Sequence, residues 1–240
     1  MPWWKKRALA VAPNEIGSLI AAQVRLVDRT SPLTIVDVGV QQGHTSKEFL
    51  DTFPRCRLVG FEPDDANFAA ASGMLAPYGA RAELVKAALA AGDGTSVLQV
   101  NSHDGTHSLL EIGDTRYWQS PAETVRRQPI TTVSLDRFTA DRGIGRIDIL
   151  KMDIQGAELE ALKGAGRLLE GGSISVVALE VAFHEIYRSQ PLFWDIADHF
   201  RALGYGFHGL FEAHYSPHNP NVLSWADAIF VAPNLMQMPA

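Results

Sequence analysis

The sequence predicts an α/β fold built on a mostly parallel sheet, and three observations carry that expectation. Apolar, β-branched runs of strand length recur along the chain, separated by segments with helical spacing. Residues 33–38 are apolar almost throughout, as expected of a strand buried on both faces. Residues 33–64 join that strand to a glycine turn, a short helix and a second strand, the crossover layout of parallel sheets.

The elements follow in order. Trp3 and Trp4, beside Lys5, Lys6 and Arg7, open the chain as an arm that either packs on the domain or makes a weak membrane-surface contact. Pro13 and Asn14 mark a helix start, after which Ile16, Leu19, Ile20, Val24 and Val27 share one face. Gly39 and Gly43 then bracket a sharp turn, residues 45–53 read as a helix closed by Pro54, and residues 57–61 supply the next strand. Beyond it lie a helix at 64–75 and strands at 82–90 and 95–100. Residues 101–128 form a long polar and aromatic connection with His103, His107, Ser108, Tyr117 and Trp118. Connections of this length are commonly functional, so it is expected to line a pocket or close over it. Strands at 130–135, 147–152, 174–181, 205–211 and 228–231 alternate with a helical turn at 136–140 and helices at 157–169 and 193–203. Residues 1–30 are thus an arm and covering helix, 31–233 one domain and 234–240 a tail.

Composition narrows the function. The chain has 240 residues, a formal net charge of -6 and a pI near 5.7, so no global positive field favours nucleic acid. Cys56 is the single cysteine, which leaves no intrachain disulfide and no thiolate metal site. No apolar core of signal-peptide length and no uncharged run of roughly 18 residues occurs, so a cytoplasmic protein is expected, assuming a bacterial-type cell.

Glu62 decides what the glycine turn is for. It follows Gly43 by close to the roughly 20 residues at which an acid receives ribose hydroxyls in nucleotide-binding crossovers, so an adenosine ligand is expected. The turn reads Asp37-x-Gly39-x-x-x-Gly43 and lacks the middle glycine that crowds a pyrophosphate. A turn preceded by the Asp37 carboxylate suits a cationic sulfonium better than a diphosphate, which favours S-adenosylmethionine. An NAD(P)-dependent oxidoreductase is the competing enzyme class, and no Tyr-x-x-x-Lys pair supports it. A non-catalytic cofactor-binding partner in a glycan-assembly cluster is the third reading. Ligands of open α/β sheets bind beyond the carboxyl ends of the strands, so Glu62, Asp153 and residues 180–187 should meet in one crevice.

With these residues in view, the chain resembles the FkbM family of S-adenosylmethionine-dependent O-methyltransferases. The carriers are Asp37-Val-Gly-Val-Gln-Gln-Gly43 with Ser46, Phe61-Glu62-Pro63, Val133-Ser-Leu-Asp136, Lys151-Met-Asp-Ile-Gln-Gly-Ala-Glu158, Leu179-Glu180-Val181 and Asp227-Ala-Ile-Phe230. Two departures stand out: Val40-Gln41 where the family often has alanine-asparagine, and Gln155 where it often has glutamate. The resemblance implies a Rossmann-like class I methyltransferase fold, a seven-stranded sheet with helices on both faces and an antiparallel last strand. It also implies methylation of a hydroxyl on a sugar, glycan or small natural product. On this reading Asp37, Gly39, Gln41, Gly43, Ser46, Glu62, Pro63, Ser108 and Asp153 bind the cofactor. His184 is the leading general base because it follows a central strand and titrates near neutrality, with Asp153 and Glu180 as further catalytic candidates. Glu180 and Asp153 are also the pair that a divalent cation would join, although nothing in the sequence requires one.

Overall fold

The computed structural model describes residues 19–113 and 122–236. Trp3, Trp4, Pro13, Asn14, Ile16, Tyr117 and Trp118 lie outside the described residues, as do residues 237–240. The chain runs through α1 (Leu19–Leu26), β1 (Thr34–Val38), α2 (His44–Thr52), β2 (Arg57–Phe61), α3 (Asp65–Leu75), β3 (Ala82–Val85), β4 (Ala88–Leu89), β5 (Gly94–Asn101) and β6 (Thr124–Val133). It continues through α4 (Leu135–Arg142), β7 (Ile147–Met152), α5 (Glu158–Lys163), α6 (Gly166–Glu170), β8 (Ile174–Ala182), α7 (Phe193–Ala202), β9 (Gly206–Ser216) and β10 (Asn219–Val231).

Seven strands form the main sheet in the order β3-β2-β1-β7-β8-β10-β9. β10 runs antiparallel to both β8 and β9, and the other described pairings of this sheet are parallel. Strand residues alternate between two apolar layers, as a strand buried on both faces must. Val36, Val59, Leu150 and Val177 join α4, α5 and α7 in one core. Ile35, Leu58, Ile149 and Val176 meet α1, α2 and α3 in the other. Among the described residues, no helix is long and apolar enough to cross a membrane.

Three expectations need correction. The strand predicted over residues 82–90 breaks after Val85. Its second half, β4, leaves for a separate sheet ordered β4-β6-β5, whose middle strand starts at Thr124 rather than near residue 130. The helix predicted over residues 157–169 is two short helices. A Cβ at Gly164 would lie 2.0 Å from the Ala90 carbonyl oxygen, so the chain there passes too close to its neighbour for any other residue, and the helix breaks around that contact. The last two strands extend well beyond 205–211 and 228–231 into one hairpin that turns between Ser216 and Asn219.

Parallel pairing of β1, β2, β7 and β8 puts their carboxyl ends on one edge of the sheet, and the turn after β1 is locked there by main-chain bonds. The Gly39 and Val40 N–H groups donate to the Phe61 carbonyl (3.0 and 3.2 Å), and the Asp153 N–H donates to the Val38 carbonyl (3.0 Å). Gly39 has φ +78°, and a Cβ there would lie 2.0 Å from the Asp153 carbonyl oxygen. Glycine is therefore required for the β1 turn and the β7 end to touch.

Candidate active site

A cleft of about 830 Å³, counting its open mouth, lies at that edge. Its floor is the end of β1 and the turn after it, with Val38, Gly39, Val40 and Gln41. Glu62 and Pro63 follow from β2, and Ala88, Leu89 and Leu98 of the small sheet make an apolar wall. Gly105, His107, Ser108 and Leu109 of the long connection cover it, and Lys151, Asp153 and Gln155 close the β7 side.

Glu62 is buried and held by main chain. Its Oε2 accepts from the Gln41 N–H at 2.7 Å, and its Oε1 accepts from the Asp64 N–H at 2.9 Å. Burial pushes its carboxyl up to about 7 even though those two N–H groups favour the charged form. A buried carboxylate facing an open cleft is well placed to accept from a pair of neighbouring hydroxyls. Glu62 in this position, with the apolar wall opposite, fits the ribose and base of a nucleoside.

The β7 side is organised around charge. Lys151 is buried, yet its Nζ lies 3.4 Å from Asp37 Oδ1 and 3.9 Å from Asp153 Oδ2 and donates to the Gly39 carbonyl at 3.3 Å. Burial alone would lower its pKa; the Asp37 and Asp153 carboxylates more than offset this and raise it, so it stays charged. Beyond it, Gln155 Nε2 donates to Asp153 Oδ1 (2.8 Å) and Glu180 Oε1 (3.1 Å). Burial first, and then the Asp153, Glu158 and Asp227 charges, raises the Glu180 pKa well above the carboxylate range. Asp227 sits opposite Glu180 in the β8–β10 pairing, and burial and the Asp153 charge push it up to about 7. Glu158, also raised to about 7 by burial, accepts from the Ile154 N–H at 3.0 Å and ties down the loop after β7. The Tyr187 hydroxyl lies 2.8 Å from Gln155 Oε1 and 2.9 Å from the Thr106 carbonyl; burial and then the Glu180 carboxylate raise its pKa, so it remains a donor.

The residues singled out from the sequence divide. Gly39, Gln41, Glu62, Pro63, Ser108 and Asp153 line the cleft. Asp37, Ser46 and Gly43 do not. Asp37 is fully buried, accepts from Ser46 Oγ at 2.5 Å and pairs with Lys151, so it holds the β1 turn rather than facing a sulfonium. Gly43 abuts Ala71 of α3, with φ +97°. Glu180 reaches the cleft wall through Gln155. His184 is half-buried in the loop after β8 and does not line the cleft, whereas His107 does and accepts from the Asn101 N–H at 3.2 Å. Among the described residues, no group of three or more His, Cys, Asp or Glu side chains is arranged to hold a metal ion.

Sequence reasoning places Tyr187 near the crevice only as the end of residues 180–187, and gives Lys151, Gln155 and Asp227 no role beyond the motifs that contain them. The signal for Lys151 was present: a cation inside the apolar run 147–152 needs a buried anion, and Asp37 occupies the equivalent place in the neighbouring run. The strand register confirms the match, Asp37 standing opposite Lys151.

Comparisons with known proteins agree with this geometry. The chain is similar to 2-O-methyltransferase NoeI of Sinorhizobium fredii, 26% identical over 174 residues, which is 70% of each chain. It is also 26% identical over 178 residues to ribosomal RNA small subunit methyltransferase H of Corynebacterium glutamicum, covering 71% of this chain but 52% of that protein. Among solved structures it shares its fold with the METTL16 methyltransferase domain, at TM-score 0.51 and 9% identity over 89% of this chain and 66% of that one. The Methanococcus jannaschii fibrillarin pre-rRNA processing protein gives TM-score 0.51 and 12% identity over 92% and 76%. The model of the family described as Methyltransferase FkbM domain matches residues 37–207. Sheet order, cleft and sequence together place this chain in the FkbM methyltransferase family.

Proposed function

We propose that this protein transfers the methyl group of S-adenosylmethionine to a hydroxyl of a sugar or glycan. Glu62 would hold the ribose, and Val40, Leu89 and Leu98 the adenine. The bound cofactor supplies the electrophilic methyl, so the protein's task is to align an acceptor oxygen, exclude water and receive a proton.

The observation that carries the reading is the Asp153 carboxylate, which lies on the cleft wall and is tied through Gln155 to Glu180. As the oxygen-to-methyl bond forms and the methyl-to-sulfur bond breaks, the acceptor's hydroxyl proton passes to Asp153 and then to solvent. A correctly placed base of this kind contributes roughly 100-fold or more. The half-buried Glu180 and Asp227, paired across β8 and β10 next to the Asp153–Gln155 link, would offer further hydrogen-bonding groups to a polyhydroxylated acceptor. Two curated relatives divide on substrate: one is named a 2-O-methyltransferase, the other a ribosomal RNA enzyme. Charge favours the first, since the Asp153 carboxylate on the cleft wall and a net charge of -6 repel a phosphate backbone.

The test is incubation with S-adenosylmethionine and a panel of oligosaccharides, hydroxylated small molecules and RNA, read by S-adenosylhomocysteine release and by the mass of the acceptor. A methylated sugar hydroxyl is the expected product. Methylation of RNA alone overturns the reading.

A further inference from the structure

Gln155 carries more structure than its place in the motif explains. It follows β7 with φ +56° and is buried, a conformation that a non-glycine residue keeps only where the surroundings enforce it. Here they do. Nε2 donates to Asp153 Oδ1 and Glu180 Oε1, Oε1 accepts from the Tyr187 hydroxyl, and the main-chain carbonyl accepts from Ser108 Oγ at 2.6 Å. The Asp153 carboxylate fixes the amide's orientation, because it only accepts; turned over, the amide oxygen would face it.

We propose that Gln155 is a positioning residue that occupies the place of a bridging cation. Its carboxamide holds the Asp153 and Glu180 carboxyl groups side by side, so that Asp153 receives the acceptor's proton without a divalent metal. This rests on the methyl-transfer reading for its chemistry, but not for its test. Two carboxylates aimed at one space repel and need donors between them. The amide nitrogen supplies one hydrogen to each and fills the space in which an ion would sit. Lys151, 3.9 Å from Asp153, supplies the fixed positive charge. A glutamate at this position would set a third carboxylate among the first two and leave a site that only a cation or extra protons could neutralise.

The experiment is calorimetric titration of the full chain with manganese(II) chloride, for wild type, Gln155→Glu and Gln155→Leu, with thermal melts to confirm folding. Wild type is expected to show no saturable binding up to millimolar metal. Gln155→Glu should bind manganese at least roughly tenfold more tightly than wild type, as added carboxylate ligands do. Gln155→Leu removes the amide from between the carboxylates without adding charge and should gain a smaller affinity; it decides the matter should the glutamate variant fail to fold. A role confined to packing would leave metal affinity unmoved. Saturable binding by wild type equal to that of the variants, or none by the folded variants, overturns the proposal. Failure of wild type to bind S-adenosylhomocysteine would strike the methyl-transfer reading alone.

Discussion

The two ends of the cleft are built from different kinds of chain. At the Glu62 end the turn, both strands and the carboxylate come from one local unit, and main-chain N–H groups from Gln41 and Asp64 hold the acid. At the Asp153 end the groups come from β7, β8, β10 and the loop carrying Tyr187, and side chains hold one another. Main-chain support holds the Glu62 end independently of neighbouring side chains. Side-chain support makes the Asp153 end adjustable, since one substitution redistributes its charge.

Gly39 joins the two ends, and its substitution should have the largest effect. Gly39→Ala drives a Cβ into the Asp153 carbonyl at a positive φ, so it is expected to destabilise the fold by roughly 3 kcal/mol or more and to abolish S-adenosylhomocysteine binding. Thermal unfolding and calorimetry read this; a variant of wild-type stability would mean that the ends are not coupled there. Asp153→Asn keeps the shape of the acceptor end and removes its charge. Turnover should fall by roughly 100-fold or more while S-adenosylhomocysteine affinity stays near wild type. Equal losses in both would erase the division between the ends.

Glu62→Gln should weaken S-adenosylhomocysteine binding by roughly tenfold, the loss expected for hydrogen bonds to a charged group. The pH dependence sharpens the point. Ribose hydroxyls donate to the ionised carboxylate, whose pKa burial raises to about 7, so wild-type affinity should fall as pH drops through about 7 and level off above it. Calorimetry across that range should find the slope gone in the variant. His184→Ala should change least, leaving turnover near wild type, because that imidazole does not line the cleft. A large loss of turnover with intact folding would bring His184 back as the base.

How far the sequence foretold this structure follows the same division. The strand, turn, helix and strand from Thr34 to Phe61 were legible because their signals are local: an apolar run, a glycine turn and an acid at a fixed spacing. The tie between Asp37 and Lys151 is not local, because the two are distant in sequence and adjacent only through strand register. Gly164 was read past because its constraint comes from the Ala90 carbonyl, across the fold. The acceptor end was the least legible, since Gln155 acquires its meaning only when β7 and β8 lie side by side and Tyr187 swings beneath the segment carrying Thr106 and Ser108. His184 stands out in the sequence for its chemistry, while its position away from the cleft lining depends on the path of the chain after β8.

The central claim is that the Glu62 cleft takes a nucleoside bearing a sulfur cation or its neutral product, not a dinucleotide. Parallel calorimetric titrations of the full chain with S-adenosylhomocysteine and with NADH test it most directly. Saturable one-to-one binding of S-adenosylhomocysteine and no heat from NADH is the predicted result. Binding of NADH in preference would contradict it.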